Sequence, residues 1–267
     1  FVAVQLAGQL GNQLFQLAAG YAYALDTGAQ FIVPDLANKD MYNIPHNTER
    51  LYRWIPELRV QNLPTDGQTQ WRQPSFKYTP IPRLRNVLLI GYFQSEQYFL
   101  HRRDEIQRVF SPPPHIQQSV LSNHSVLTSG RYTVGVQVRD YRAEQPKGRY
   151  HPTLTSSFYT AAMKRFPEDA VFIVTSNNEQ YAREVTRAFS HRTVYLTSKG
   201  KEDHIDHFYA LYFCRAFIIA NSSFGWWAAW LSMSASKTVI APRQWFAAPY
   251  RNNDMTVDLY PQNATII

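Results

Sequence analysis

Cysteine is nearly absent: the chain has one, Cys214, among 267 residues. No disulfide can close within it, and a reducing, cytoplasmic setting is the expectation. Apolar residues never run for the roughly 18 positions a bilayer requires, so no transmembrane segment is expected. The charge leaves peripheral contact with a membrane open. The chain starts in the strand-like run Phe1-Val2-Ala3-Val4 with no signal-peptide pattern and no initiator Met, which leaves open whether an N-terminal residue or anchor has been removed. The eight histidines do not fall at zinc-ligand spacing, and His204 with His207 reads as a solvated helix face. No G-x-S-x-G elbow occurs, which argues against a hydrolase of that type. Cys214 lies among Phe213, Phe217 and Ile218 and reads as a small core residue rather than a nucleophile.

Charged residues are also sparse at 18%, against 45% hydrophobic, which fits a folded globular protein. The net charge of +7 is scattered. Its densest groups, Arg83 with Arg85 and His101-Arg102-Arg103, accompany no nucleic-acid module, so no nucleic-acid partner is expected. The charge points weakly to a phosphate-bearing ligand. Aromatics are abundant, with 17 Tyr, 16 Phe and 6 Trp, and such rings fill cores or stack on sugars and bases.

The order of elements reads as α/β. Phe1 to Leu6 is a strand, Ala7 to Asn12 a turn, Gln13 to Leu25 a helix and Phe31 to Pro34 a second strand, a βαβ opening that favours a parallel sheet. Residues 38 to 86 are irregular. Val87 to Ile90 is a strand and Tyr98 to Val109 a helix, stopped by Ser111-Pro112-Pro113-Pro114. Further strands are expected at Thr133 to Val138, Val171 to Val174, Val194 to Leu196, Phe217 to Ile219 and Thr238 to Ala241. Helices are expected at Ser156 to Phe166, Glu179 to Phe189, Asp206 to Phe213 and Trp226 to Leu231. This pattern reads as a doubly wound fold of two domains, 1–120 and 121–267, with a hinge near residues 111 to 131. Ligands of such folds bind at the carboxyl ends of strands and in the cleft between domains.

Four strand ends carry unusual polar residues. Gly8-Gln9-Leu10-Gly11-Asn12-Gln13 lets backbone approach a ligand or serves only the geometry of a turn; it lacks the third glycine of a dinucleotide fingerprint and the Gly-Lys-Ser/Thr of a Walker loop. At Val138-Arg139-Asp140-Tyr141-Arg142, Arg139 offers a fork for phosphate oxygens, while Asp140 serves as a base, orients the guanidinium, or forms a plain surface pair. Ser176-Asn177-Asn178 presents amides to a base edge or makes an ordinary turn. Ala220-Asn221-Ser222-Ser223-Phe224 joins a buried strand to a helix start, where bare N–H groups suit an anion such as phosphate, unless it is only a capped core helix. No D-x-D-like acidic pair stands at a strand end to hold a divalent ion.

Together these segments resemble glycosyltransferase family 11, the α-1,2-fucosyltransferases. Gly8 to Gln16 is similar to the family's G-G-x-G-N-Q-x-F-Q, and Gly91 to Phe99 to its G-Y-x-Q-S-E-x-Y-F. Ala220 to Leu231 is similar to A-N-S-S-F-S-W-W-A-A-W-L, with Gly225 in place of a serine. Lys237 to Phe246 is similar to K-x-V-I-A-P-x-x-W-F. The family's H-x-R-R-G-D-Y departs here to Gln137, Arg139, Asp140 and Tyr141, and its S-D-D turn to Ser176-Asn177-Asn178.

The resemblance implies a GT-B-like architecture, two Rossmann-like domains facing a cleft, with an N-terminal acceptor-side domain and a C-terminal nucleotide-sugar domain. It implies inverting, metal-independent transfer of fucose from GDP-fucose to the 2-hydroxyl of a β-galactoside, with no cofactor. Arg139 would hold the β-phosphate, and Ser222, Ser223 and Phe224 the same diphosphate from a helix N-terminus. Gly11, Ser176, Asn177, Asn178 and Asn221 would complete the nucleotide-sugar site. Asn12 would lie near the fucose and acceptor, with Gln94, Glu96 and His151 on the acceptor side. Asp140, Glu96 and His151 are the candidates for a base. Two alternatives remain: a glycan-binding protein with a decayed transferase site, and a transferase that uses another GDP-sugar such as GDP-mannose.

Overall fold

The computed structural model describes residues 1–33, 67–143, 150–197, 203–248 and 253–267. They separate into two compact units, Phe1–Ser111 with Asn253–Tyr260, and Pro112–Asn252 with Pro261–Ile267. The division thus falls at Ser111 rather than residue 120, and a short late segment belongs to the first unit. Residues 38 to 66 of the irregular region, and Pro34 at the end of an expected strand, lie outside the described residues.

The first unit is built on a parallel sheet of β1 (Val2–Val4), β2 (Phe31–Ile32), β3 (Thr69–Arg72) and β4 (Val87–Ile90), in the order β2-β1-β4-β3. All three residues of β1 are buried, as a strand covered on both faces requires. Helix α1 spans Leu10–Thr27, starting earlier than the sequence suggests. Gly8, at φ +77, makes the turn by itself, so Gly11 and Asn12 fall in the first helical turn. A Cβ on Gly20 would come within 2.7 Å of the Phe31 ring; glycine lets α1 seat this close to the strands. Helix α2 covers Arg103–Phe110. The expected helix from Tyr98 is replaced at its start by short 3-10 turns at Glu96–Tyr98 and Leu100–Arg102.

The second unit opens with α3, Pro114–Asn123, where the sequence suggests only a stop and a hinge. Proline at the first helical position has no N–H to lose and a preset φ, so the proline run starts a helix as well as ending one. Six parallel strands follow: β5 (Thr133–Val138), β6 (Val171–Ser176), β7 (Thr193–Tyr195), β8 (Ala216–Ile218), β9 (Val239–Ala241) and β10 (Thr265–Ile266), in the order β10-β9-β8-β5-β6-β7. Helices α4 (Ser156–Met163), α5 (Glu179–Val185), α6 (Asp203–Tyr212) and α7 (Ser223–Leu231) lie between them, and α8 (Asn253–Thr256) belongs to the first unit. Val134, Val136 and Val138 of β5 share a core with Tyr159 and Met163 of α4 and Tyr181 of α5. On the opposite face, a Cβ on Gly135 would meet Leu211 of α6 at 3.1 Å. Helices therefore cover both faces, the doubly wound arrangement. The chain runs from β5 outward through β6 and β7, then returns to place β8 on the other side of β5. That reversal is a topological switch point, where α/β sheets bind ligands. In the first unit the equivalent reversal lies between β1 and β4.

Candidate active site

At the switch point of the second unit, Arg139 follows β5 directly and is half-buried. Its guanidinium carbon lies 5.3 Å from the centroid of the Tyr141 ring. The Tyr141 hydroxyl donates to the Asn221 carbonyl at 2.9 Å, which ties the loop after β5 to the loop after β8. Ser222 caps α7: its Oγ accepts from the Phe224 N–H at 3.4 Å, and Ser222, Ser223 and Phe224 are all partly exposed. Gln137, one residue before the end of β5, donates from Nε2 to Ser222 Oγ at 3.0 Å and accepts the Gly225 N–H on Oε1 at 2.9 Å. The switch point thus joins a cationic fork to the N-terminus of a helix. Sequence reasoning missed the parts played by Gln137 and Tyr141, although both flank Arg139.

Asp140 is 3% exposed and pairs with Arg142. Nε of Arg142 donates to Oδ1 and Nη2 to Oδ2, both at 2.9 Å. Asn178 adds a bond from Nδ2 to Oδ2 at 2.8 Å. The Arg142 bonds, supported by its backbone N–H and by Asn178, outweigh burial and hold the carboxyl at about 2 rather than 3.8. Asn177 donates to the Asp140 carbonyl at 2.8 Å and accepts the Asp140 N–H at 2.9 Å. Asn178 also accepts from Tyr181 N–H at 3.1 Å, capping α5, and Ser176 Oγ donates to the Asn178 carbonyl at 2.9 Å. The amides expected to face a base edge are therefore used to tie the loop after β6 to the loop after β5.

This carboxylate makes a pH prediction. Its folded pKa is depressed, so its contribution is complete above the unfolded value of 3.8 and is lost as pH falls through about 2. The shift amounts to about 2 kcal/mol. Unfolding measured across that window should show a steeper acid loss in the wild type than in Asp140→Asn. Equal slopes would mean that the carboxylate is not paired in solution.

His151 belongs to the second unit. It stacks on Tyr141 at a centroid distance of 4.9 Å and leans on Phe246 at 5.1 Å. Its Nδ1 lies 3.1 Å from the Trp245 carbonyl, which can only accept, so Nδ1 carries the proton in the neutral ring. Burial pushes its pKa below 6.5, and the charge of Arg139 adds to that shift. Asn221 is fully buried. Its Nδ2 donates to the Pro152 carbonyl at 2.8 Å and the Trp245 carbonyl at 3.2 Å. It holds loops together and has no surface to offer a diphosphate.

In the first unit, Gln94 after β4 donates from Nε2 to Asn12 Oδ1 at 2.7 Å. Asn12 and Gln94 thus meet at the β1–β4 reversal. Gln13 and Gln16 secure the same loops: Gln13 donates to the Gly8 carbonyl at 2.8 Å, and Gln16 to the Gly91 carbonyl at 3.1 Å. Gly11 and Glu96 are buried. Among the described residues no helix is long and apolar enough to cross a membrane.

Comparison with known proteins agrees on a class. An alpha-1,2-colitosyltransferase of Escherichia coli is 25% identical in an alignment of 273 positions, gaps included, that covers 92% of this chain and 92% of that protein. Galactoside alpha-(1,2)-fucosyltransferase 1 of Lagothrix lagotricha is 30% identical in an alignment of 247 positions, gaps included, that covers 84% of this chain and 63% of that protein. The solved structure of NodZ alpha-1,6-fucosyltransferase soaked with GDP-fucose has a TM-score of 0.57 at 14% identity, covering 86% of this chain and 91% of that one. Escherichia coli ADP-heptose heptosyltransferase II has a TM-score of 0.52 at 12% identity, covering 100% and 90%. The fold is that of the GT-B glycosyltransferases. Residues 1–260 match the profile of Glycosyl transferase family 11, and the chain belongs to that family of glycosyltransferases.

Proposed function

We propose that this glycosyltransferase moves fucose from GDP-fucose to the 2-hydroxyl of a β-galactoside, with inversion and without a metal. One observation carries the reading: in a family 11 chain, the switch point between β5 and β8 brings together Arg139 and the Ser222-Ser223 end of α7. As the acceptor hydroxyl attacks the anomeric carbon, negative charge builds on the leaving diphosphate. Arg139 and the first amides of α7 stabilise it there, where preorganised donors act most on the rate. Asn12 and Gln94 are the candidates for the sugar and the acceptor. Asp140 is a poor base, since its pKa of about 2 leaves it little drive to take a proton and Arg142 engages both its oxygens. It acts instead as a positioning residue for the loop that bears Arg139.

The test is incubation with GDP-fucose and a panel of β-galactosides, reading GDP release and product linkage. Fucosylated α-1,2 product is expected, and its yield should persist in EDTA. Abolition by chelator with rescue by Mn²⁺ or Mg²⁺ would overturn the metal-free part. GDP at about 100 times its Kd should add about 2.7 kcal/mol of stability; a glycan-binding protein with a decayed site would gain none. The colitosyltransferase relative favours a second reading, in which the donor is a GDP-linked colitose. Competition between the two donors decides between them.

A further inference from the structure

We infer that Gln137 fixes the Ser222 hydroxyl as a donor toward the nucleotide diphosphate, and that position 225 must lack a Cβ for Gln137 to reach its seat. The inference rests on the GDP site proposed above.

The amide orientation follows from the hydrogen bonds alone. The Gly225 N–H can bond only an acceptor, so Oε1 of Gln137 faces it at 2.9 Å. Nε2, a donor only, must then face Ser222 Oγ at 3.0 Å. The Phe224 N–H points at the same oxygen from 3.4 Å. A hydroxyl has two acceptor positions and one proton. With donors on both acceptor positions, the proton is directed away from Gln137 and from the helix, to the side where Ser222 is partly exposed. An anion there meets a proton rather than a lone pair. Gln137 is 5% exposed and sits too deep to touch a ligand in the partly exposed cap, so it acts through Ser222 as a positioning residue.

The second partner is defined by what is missing. A Cβ on residue 225 would lie 2.5 Å from Gln137 Oε1 and 3.1 Å from Gln137 Cβ. A Cβ at 225 forces Oε1 to move and so disturbs the seat from which the amide makes its two bonds. Gln137 and Gly225 stand 88 residues apart in sequence, so only the fold brings them together.

The experiment is calorimetric titration of GDP into the wild type, Gln137→Met, Ser222→Ala, their double variant and Gly225→Ala, with thermal unfolding of each chain without ligand. Gln137→Met keeps the shape and removes both hydrogen bonds. It and Ser222→Ala should each weaken GDP about 10-fold, the size of one lost hydrogen bond to a charged group. The double variant should be no weaker than Ser222→Ala alone within about 2-fold, because Gln137 acts through that hydroxyl. Gly225→Ala should reproduce the Gln137→Met loss, and it decides the matter if Gln137→Met does not fold. Wild-type affinity in Gln137→Met or Gly225→Ala, or losses that multiply in the double variant, would overturn the inference and leave the function intact. Failure of the wild-type chain to bind GDP would overturn both.

Discussion

Arg139→Ala is expected to lower the rate of transfer by about 100-fold, some 2.7 kcal/mol of barrier, while the chain still folds. The guanidinium stands at the carboxyl end of the central strand, over a tyrosine ring that is itself anchored to the loop after β8. Its position is set before any substrate arrives, which is the condition for electrostatic stabilisation without reorganisation. The side chain is half-buried at a loop, so its loss removes no core packing, and unfolding should remain close to wild type. Arg139→Lys should recover only part of the rate, because an ammonium returns the charge without the planar fork. A wild-type rate in Arg139→Ala would take the guanidinium out of the reaction. A loss seen only at low pH would implicate neighbouring His151 instead, whose pKa is depressed chiefly by burial and further by the Arg139 charge.

The strands that surround this site were legible because parallel strands buried on both faces read as unbroken apolar runs. Val171 to Val174 and Phe217 to Ile219 are of that kind, and both fall within or beside observed strands. Strand β3 was not legible: Thr69-Gln70-Trp71-Arg72 is an edge strand with three of its four residues exposed, so no burial pattern marks it. Helix α3 was hidden by the prolines that open it. The loops of the site could be found from residue type, since Arg139 and Ser222 both follow apolar runs. Their partners could not. That Arg142 rather than Arg139 holds Asp140, that Asn177 and Asn178 serve the scaffold, and that Gln137 needs a glycine at 225 are facts about pairs. One sequence contains no record of pairs, and local propensity is silent on which of two nearby arginines a carboxylate will choose.

Asn221→Ala is expected to destabilise the second unit by about 1–2 kcal/mol, the cost of one buried acceptor left partly unsatisfied, and to lower transfer with it. The sequence places Asn221 among the ligands of the nucleotide, and residue type alone allows that. The structure gives it no exposed surface and spends its amide on the Pro152 and Trp245 carbonyls, at 2.8 and 3.2 Å. Alanine would leave the Pro152 carbonyl without that donor, at a cost of about 1–3 kcal/mol for a buried orphan, offset in part by water at the partly buried Pro152; the Trp245 carbonyl would keep the bond from His151 Nδ1. Oδ1 has no partner, so the donors alone carry the effect. Asn221→Asp, which keeps the shape but cannot donate, should therefore do no better than alanine. Pro152 neighbours His151, and Trp245 neighbours Phe246, so the same two bonds hold the stacked rings beside Arg139 in place. Loosening them should lower kcat more than it weakens GDP. Urea unfolding and GDP titration of the same variant separate the two roles: a shifted midpoint with near-normal GDP affinity fits a scaffold residue, whereas unchanged stability with weakened GDP would return Asn221 to the list of ligands.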